Sequence, residues 1–208
     1  MPLTPRADAA IFDFDGVIID SLPAVTTATN GALVAHGFTP HSDVELERFI
    51  GPPVLSVFAE LTGAAEESET VAACVATYHD LYRRVYLDQT RLMPGVPEVL
   101  AALPLPLALA TSKAREFVVP LLEHFGLQFP VVSAPELAEP KAETVARALQ
   151  ALGAPDAVMV GDRYFDVEAA QACGLRTIGV TWGVGDRDEL SGAEIVIDQP
   201  AALLTLLA

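Results

Sequence analysis

Lysine is almost missing from this chain: of its 12 cationic residues ten are arginines, and only Lys113 and Lys141 are lysines. Lysine is ordinarily a common surface residue. Two isolated ones therefore pose a question: what does a compact ammonium do here that a guanidinium fork cannot? Cysteine is scarce too. Cys74 and Cys173 are too few for a disulfide framework or a zinc set, and both read as buried small hydrophobes. No apolar stretch approaches the ~18 residues of a membrane span, and the run 103–110 is interrupted by Pro104 and Pro106. The N-terminus does not read as a signal peptide, because the apolar run after Arg6 is broken by Asp13 and Asp15. Cations as a class are outnumbered, 12 against 28 acids, for a net charge of −16. That excess argues against nucleic-acid polymers and anionic membranes, which require a basic patch. The expectation is a soluble cytoplasmic protein, monomeric or homodimeric.

What is present is apolar and ordered. With 208 residues, 51 % of them hydrophobic, the chain can bury one core domain with a modest insertion. Residues 9–14 read as a buried strand ending in acids, and 21–87 as a helical block without strands. In that block Ser42 with Glu45 forms a capping-box signature, and Gly51-Pro52-Pro53 breaks the helical run. Apolar positions 71, 74, 75, 78, 81, 82 and 85 recur at helical spacing. Beyond Met93-Pro94-Gly95 helices alternate with strands. Strands are expected at 107–111, 130–133, 157–161, 176–181 and 193–197, and helices at 96–103, 114–124, 141–151 and 164–173. Such alternation predicts an α/β fold, a doubly wound, Rossmann-like parallel sheet. The catalytic core is expected over 1–17 and 88–208, with an inserted α-helical cap over 18–87.

In an open parallel sheet, ligands bind beyond the carboxyl ends of the strands. Those ends carry Asp13-Phe14-Asp15-Gly16, Thr111-Ser112-Lys113 and Gly161-Asp162-Arg163, with Asp166 one helical turn further. Lys141 opens the helix after another strand, so both lysines fall at such loops. Helix capping explains one or two of these residues, not the paired acids or the lysines. Asp13 and Asp15, two apart on extended backbone, point the same way and repel unless a cation or proton lies between them. With Asp162 and Asp166 they form a hard oxygen set suited to Mg²⁺. His36, His41, His79 and His124 are scattered and read as structural. One carboxylate can serve as nucleophile and another as acid/base, while a hydroxyl, helix-start amides and a lysine hold phosphate oxygens.

Taken in order, Asp13-Phe14-Asp15-Gly16-Val17-Ile18-Ile19-Asp20-Ser21, Thr111-Ser112-Lys113, Lys141, and Gly161-Asp162-Arg163-Tyr164-Phe165-Asp166 resemble the four motifs of the haloacid dehalogenase superfamily. The helical block resembles its cap. Asp20-Ser21-Leu22-Pro23 and Ile50-Gly51-Pro52-Pro53 resemble the phosphoglycolate phosphatase-like group. The third motif departs from the usual lysine-proline order, since Pro140 precedes Lys141. The dehalogenase branch itself is disfavoured by Asp15, because that branch lacks a second aspartate in the first motif.

The resemblance implies that Asp13 attacks phosphorus, Asp15 acts as acid and base, Thr111 binds a phosphate oxygen and Lys141 neutralises charge. It implies Mg²⁺ held by Asp13, the Asp15 main-chain carbonyl and Asp162, with Asp166 in support or reaching the metal through water. Candidate substrate contacts are Gly16, Ser112, Lys113, Arg48 and Gly51; Arg163 can add positive charge to the pocket. Arg83, Arg84 and the run Asp186-Arg187-Asp188-Glu189 read as solvated faces, the latter as a helix start, and Trp182 as core or rim. The implied activity is hydrolysis of a small phosphorylated metabolite, a phosphoglycolate-like monoester. A nucleotidase, a pyrophosphatase, a sugar-phosphate mutase and a non-enzymatic phospho-accepting signalling receiver are the alternatives.

Overall fold

A computed structural model describes residues 7–136 and 139–207; Arg6, which precedes the N-terminal apolar run, lies outside them. The elements are β1 (Ala9–Phe12), β2 (Ile19–Asp20), α1 (Leu22–Ala35), α2 (Asp43–Glu47), α3 (Val54–Thr62), α4 (Glu69–Gln89) and β3 (Arg91–Leu92). They continue with α5 (Val96–Ala102), β4 (Leu107–Ala110), α6 (Arg115–Phe125), β5 (Val131–Ser133), α7 (Lys141–Leu152) and β6 (Ala157–Gly161). The chain closes through α8 (Tyr164–Ala172), β7 (Arg176–Val180), β8 (Ile195–Ile197) and α9 (Ala202–Leu207).

Six strands form one parallel sheet in the order β5-β4-β1-β6-β7-β8. The chain therefore winds outward from β1 in both directions, and the expected doubly wound α/β architecture is present. Ala9, Ile11, Ala108, Ala110, Ala157 and Met159 are buried against Val145, Ala148, Ala169 and Ala170 of α7 and α8. Small alanines let these helices approach closely, and both faces of the strands read apolar because both are covered. Phe12 of β1 pairs with Leu109 on one side and Val160 on the other. That register brings the carboxyl ends of β1, β4 and β6 level, at the switch point where the winding reverses.

The chain divides into two compact units, one running to Asp20 and resuming at Leu92, the other Ser21–Arg91. The second unit is helical. The Ser42–Glu45 capping box forms in full, with the Glu45 carboxylate accepting from the Ser42 N–H at 2.8 Å. Leu46, Phe49 and Val57 make a small core in this unit.

Several local expectations need correction. β1 ends at Phe12 rather than continuing to residue 14, because the backbone turns there: the N–H groups of Ile18 and Ile19 both bond to the Phe14 carbonyl. Strands β2 and β3, two residues each, pair with one another and are too short to leave a period in sequence. Helix α9 is also additional to the expected set. After Asp186, residues 187–190 form a turn, not a helix start. Cys74 is buried as expected, but Cys173 is only half-buried; both are free thiols. Among the described residues, no helix is long and apolar enough to cross a membrane.

Candidate active site

The turn after β1 carries the first two acids. Asp13 keeps the strand direction through its N–H, which bonds to the Val160 carbonyl at 2.9 Å, and its side chain is buried. Gly16 turns the chain at φ +81°. A Cβ there would lie 2.1 Å from Asp162 Oδ2, so both the turn and the clearance require glycine. The Gly16 N–H is engaged by the Ile19 carbonyl at 2.8 Å.

Asp13 and Asp15 do not share one counter-ion. Lys141, the first residue of α7, contacts Asp13 Oδ1 and lies 3.0 Å from Asp166 Oδ1. Lys113 Nζ instead lies 3.0 Å from Asp15 Oδ1. Pro140 stands immediately before α7, where its fixed φ and missing N–H are tolerated, and Lys141 then projects into the site. The altered third motif thus still delivers its ammonium to the acids. Thr111 is buried, and its Oγ1 accepts the Lys113 N–H at 3.0 Å, which closes the loop after β4. Ser112 is half-buried beside it.

The loop after β6 supplies Asp162 and Asp166. Asp166 Oδ2 accepts the N–H groups of Asp162 and Arg163 at 3.2 and 3.1 Å, fixing the start of α8. Its other oxygen, Oδ1, lies 3.0 Å from Lys141 Nζ as an ion pair and is buried without a hydrogen bond. Asp162 Oδ2 accepts the Val184 N–H at 2.7 Å, whereas Oδ1 is buried without a hydrogen-bond partner. Carboxylate oxygens of Asp13, Asp162 and Asp166 lie within 4.8 Å of one another, a group able to hold a metal. The side chain of Asp15 is not in that group.

Burial pushes the Asp13 carboxyl up to about 7, against the attraction of Lys141. Burial, with Asp166 and Asp13 alongside, raises Asp162 well above the usual carboxylate range. For Lys141 burial favours the neutral amine, but Asp13 and Asp166 together outweigh it and hold the ammonium above its ordinary value. Four acids face two lysines, so with all four ionised the buried place would lack two positive charges. The unpartnered Asp162 Oδ1 and that shortfall both fit a hard divalent cation.

Arg163 does not stand as a spare charge for the pocket. Its Nε donates to Glu189 Oε1 at 2.6 Å, and the same oxygen accepts the Tyr164 N–H at 3.2 Å. Glu189 and the Val184 N–H were not legible as site elements, since they lie many residues beyond Asp162; the Val184 N–H meets Asp162 and Glu189 meets Arg163 and Tyr164 because β7 lies beside β6. The signal in the sequence is Gly183-Val184-Gly185, three residues beyond the end of β7. Trp182 is half-buried and donates from Nε1 to the Val17 carbonyl at 3.1 Å.

Arg48 and Gly51 belong to the helical unit. Arg48 pairs with Glu60 at 2.5 Å and its guanidinium stands 4.3 Å over the Phe49 ring. Gly51 turns the chain at φ +102°. Arg83 and Arg84 are exposed, Arg83 lying 3.4 Å from Asp80. His36 bonds to Thr77 at 2.8 Å, and the His41 N–H to Asn30. None of the histidines joins the metal-capable group.

Residues 10–180 match the family model for haloacid dehalogenase-like hydrolases. A 5'-nucleotidase of Pseudomonas aeruginosa is 33 % identical over 190 residues, covering 86 % of this chain and 85 % of that protein. A phosphoglycolate phosphatase of Chromobacterium violaceum is 30 % identical and covers 96 % of both. Among solved structures, a predicted phosphatase from Clostridium acetobutylicum superposes with a TM-score of 0.88 at 28 % identity, over 96 % of this chain and 97 % of that one.

Proposed function

The chain belongs to the haloacid dehalogenase-like hydrolase family, and we propose that it is a metal-assisted phosphatase that hydrolyses a small, phosphoglycolate-like phosphate monoester through an aspartyl-phosphate. The observation that carries this is the buried Asp13 at the central strand end, against Lys141 and within reach of Asp162 and Asp166.

Asp13 is the nucleophile. One of its oxygens bonds to phosphorus as the bond from phosphorus to the ester oxygen breaks, and protonated Asp15 delivers its proton to that leaving oxygen. Asp15, now ionised, takes a proton from water, whose oxygen attacks the aspartyl-phosphate. Inorganic phosphate leaves and the Asp13 carboxylate is restored. Thr111, whose oxygen already accepts from Lys113, retains its hydroxyl proton to donate to a phosphate oxygen. Lys141 neutralises Asp13 and the incoming dianion. Asp13, the main-chain carbonyl of Asp15 and Asp162 would hold a Mg²⁺ ion, and Asp166 supports Asp162 and Lys141. When bound, that cation supplies charge neutralisation for the phosphoryl oxygens. Since phosphoryl transfer is catalysed mainly by positioning and charge, this arrangement suffices for the chemistry.

The helical unit, carrying Arg48 and Gly51, is assigned to substrate selection as a cap. The likeness to a 5'-nucleotidase favours a second substrate reading, a nucleoside monophosphate. The test is phosphate release from a panel of phosphorylated metabolites with Mg²⁺ present, comparing wild type with Asp13→Asn. Turnover of a small monoester that vanishes in the folded variant supports the proposal; a variant that still hydrolyses refutes the nucleophile.

A further inference from the structure

Asp162 is held in an unusual way. Its Oδ2 accepts the Val184 N–H at 2.7 Å, and hypothetical Cβ atoms on Gly16 and Gly183 would come within 2.1 and 2.3 Å of that oxygen. A Cβ on Gly185 would lie 1.8 Å from the Asp162 carbonyl. Backbone thus encloses Oδ2, while Oδ1 is buried and unpartnered. The same loop is clipped a second time. Glu189 Oε1 accepts from Arg163 Nε at 2.6 Å and from the Tyr164 N–H at 3.2 Å, directly after Asp162. Asp186 Oδ1 in turn accepts the Glu189 N–H at 2.8 Å.

We propose that Glu189 is a positioning residue which clips the 183–189 loop over Asp162, so that Asp162 offers a metal one oxygen only and the site selects Mg²⁺ over Ca²⁺. This rests on Asp162 being a metal ligand, as proposed above. The selectivity follows from ligand chemistry. Mg²⁺ demands near-octahedral geometry and is served by single oxygens, whereas Ca²⁺ tolerates higher coordination and accepts bidentate carboxylates. A carboxylate with one oxygen enclosed by backbone cannot bind in the bidentate manner. Loosening the loop frees Oδ2, which lowers the affinity for Mg²⁺ and removes the handicap of Ca²⁺.

Calorimetric titration of the full chain with MgCl₂ and with CaCl₂ tests this, using wild type, Asp162→Asn, Glu189→Ala and Glu189→Gln. Partners that orient a metal ligand typically contribute 10–100-fold in affinity, so E189A is expected to weaken Mg²⁺ binding about tenfold. Ca²⁺ binding should fall far less or rise. E189Q keeps an accepting oxygen and should restore Mg²⁺ preference. Unchanged Mg²⁺ affinity in folded E189A, or equal losses for both ions, overturns the positioning role. Should E189A not fold, Glu189→Asp, with its shortened reach, carries the same comparison. D162N separates the two levels: if it binds Mg²⁺ like wild type, the metal assignment itself fails. If D162N loses the metal while E189A does not, only the clip is wrong.

Discussion

Lys113 Nζ lies 3.0 Å from Asp15 Oδ1, while Lys141 contacts Asp13, so each acid of one strand end has its own lysine. Both ammonium groups are nearly enclosed, with side-chain exposures of 10 % and 6 %. A single nitrogen with three donors can touch Asp13 and Asp166 at once in that space; a planar five-donor fork is larger and fixed in direction. The near-absence of lysine elsewhere thus isolates the two positions where a point charge is needed.

The two lysines should differ in consequence. Lys141→Ala leaves Asp13 and Asp166 buried without their cation, a change that typically costs about 3–5 kcal/mol. Lys113→Ala affects a less enclosed pair and should cost less. Urea denaturation of both variants, with phosphate release assayed alongside, makes the comparison. Equal stability of K141A and wild type would contradict the pairing described.

The metal-free protein should become less stable as pH rises from about 4 to about 7. Asp13 moves from its ordinary 3.8 to about 7 on folding, chiefly by burial. Between those values the folded state holds a proton that the unfolded chain has released, so raising the pH favours unfolding. Asp162 shifts in the same direction. The raised Lys141 contributes stability that is lost only in strong alkali, outside this window. Added Mg²⁺ favours the ionised acids and should flatten the slope. Melting temperatures at pH 5 and pH 7.5, with chelator and with Mg²⁺, provide the check; a slope of opposite sign without metal would refute it.

Gly16→Ala should damage both fold and metal site. The left-handed backbone costs an L-residue about 1–2 kcal/mol, and forcing a methyl into filled space typically costs a further 1–3 kcal/mol or so. The methyl would meet Asp162 Oδ2, so Mg²⁺ affinity should drop together with stability. A variant as stable as wild type that binds Mg²⁺ equally well would show that the turn has other room.

In the helical unit, neighbours Arg48 and Phe49 should separate function from stability. Phe49 is buried with Leu46 and Val57, and Phe49→Ala should cost about 3–5 kcal/mol. Arg48 pairs with Glu60 through side chains 64 % and 54 % exposed, and such pairs contribute about 0–1 kcal/mol. Arg48→Ala should therefore stay folded, with KM raised severalfold and kcat retained if Arg48 contacts substrate. An unchanged KM removes it from substrate recognition.

Much of the sheet was readable because β-strands buried on both faces are short apolar runs between breakers. Ala157–Gly161 is such a run, and its limits agree with the expectation. The two-residue strands β2 and β3 carry no such period. The Ser42–Glu45 box was legible because its partners are three residues apart. The acids at the strand ends were legible for a related reason: β1, β4 and β6 place their carboxyl ends level, and each end is local in sequence.

By itself, then, the chain specified its layers, its strand-end acids and the two lysine positions, since each depends on local pattern or on spacing within a few residues. Tertiary structure decided which lysine serves which acid, and that Arg163 is taken by Glu189. It also decided that the Val184 N–H reaches Asp162 across 22 residues. Those pairings join segments distant in sequence, and no local period encodes them. Ion pairs and hydrogen bonds form only where adjacent strands bring a donor within about 3 Å of its acceptor.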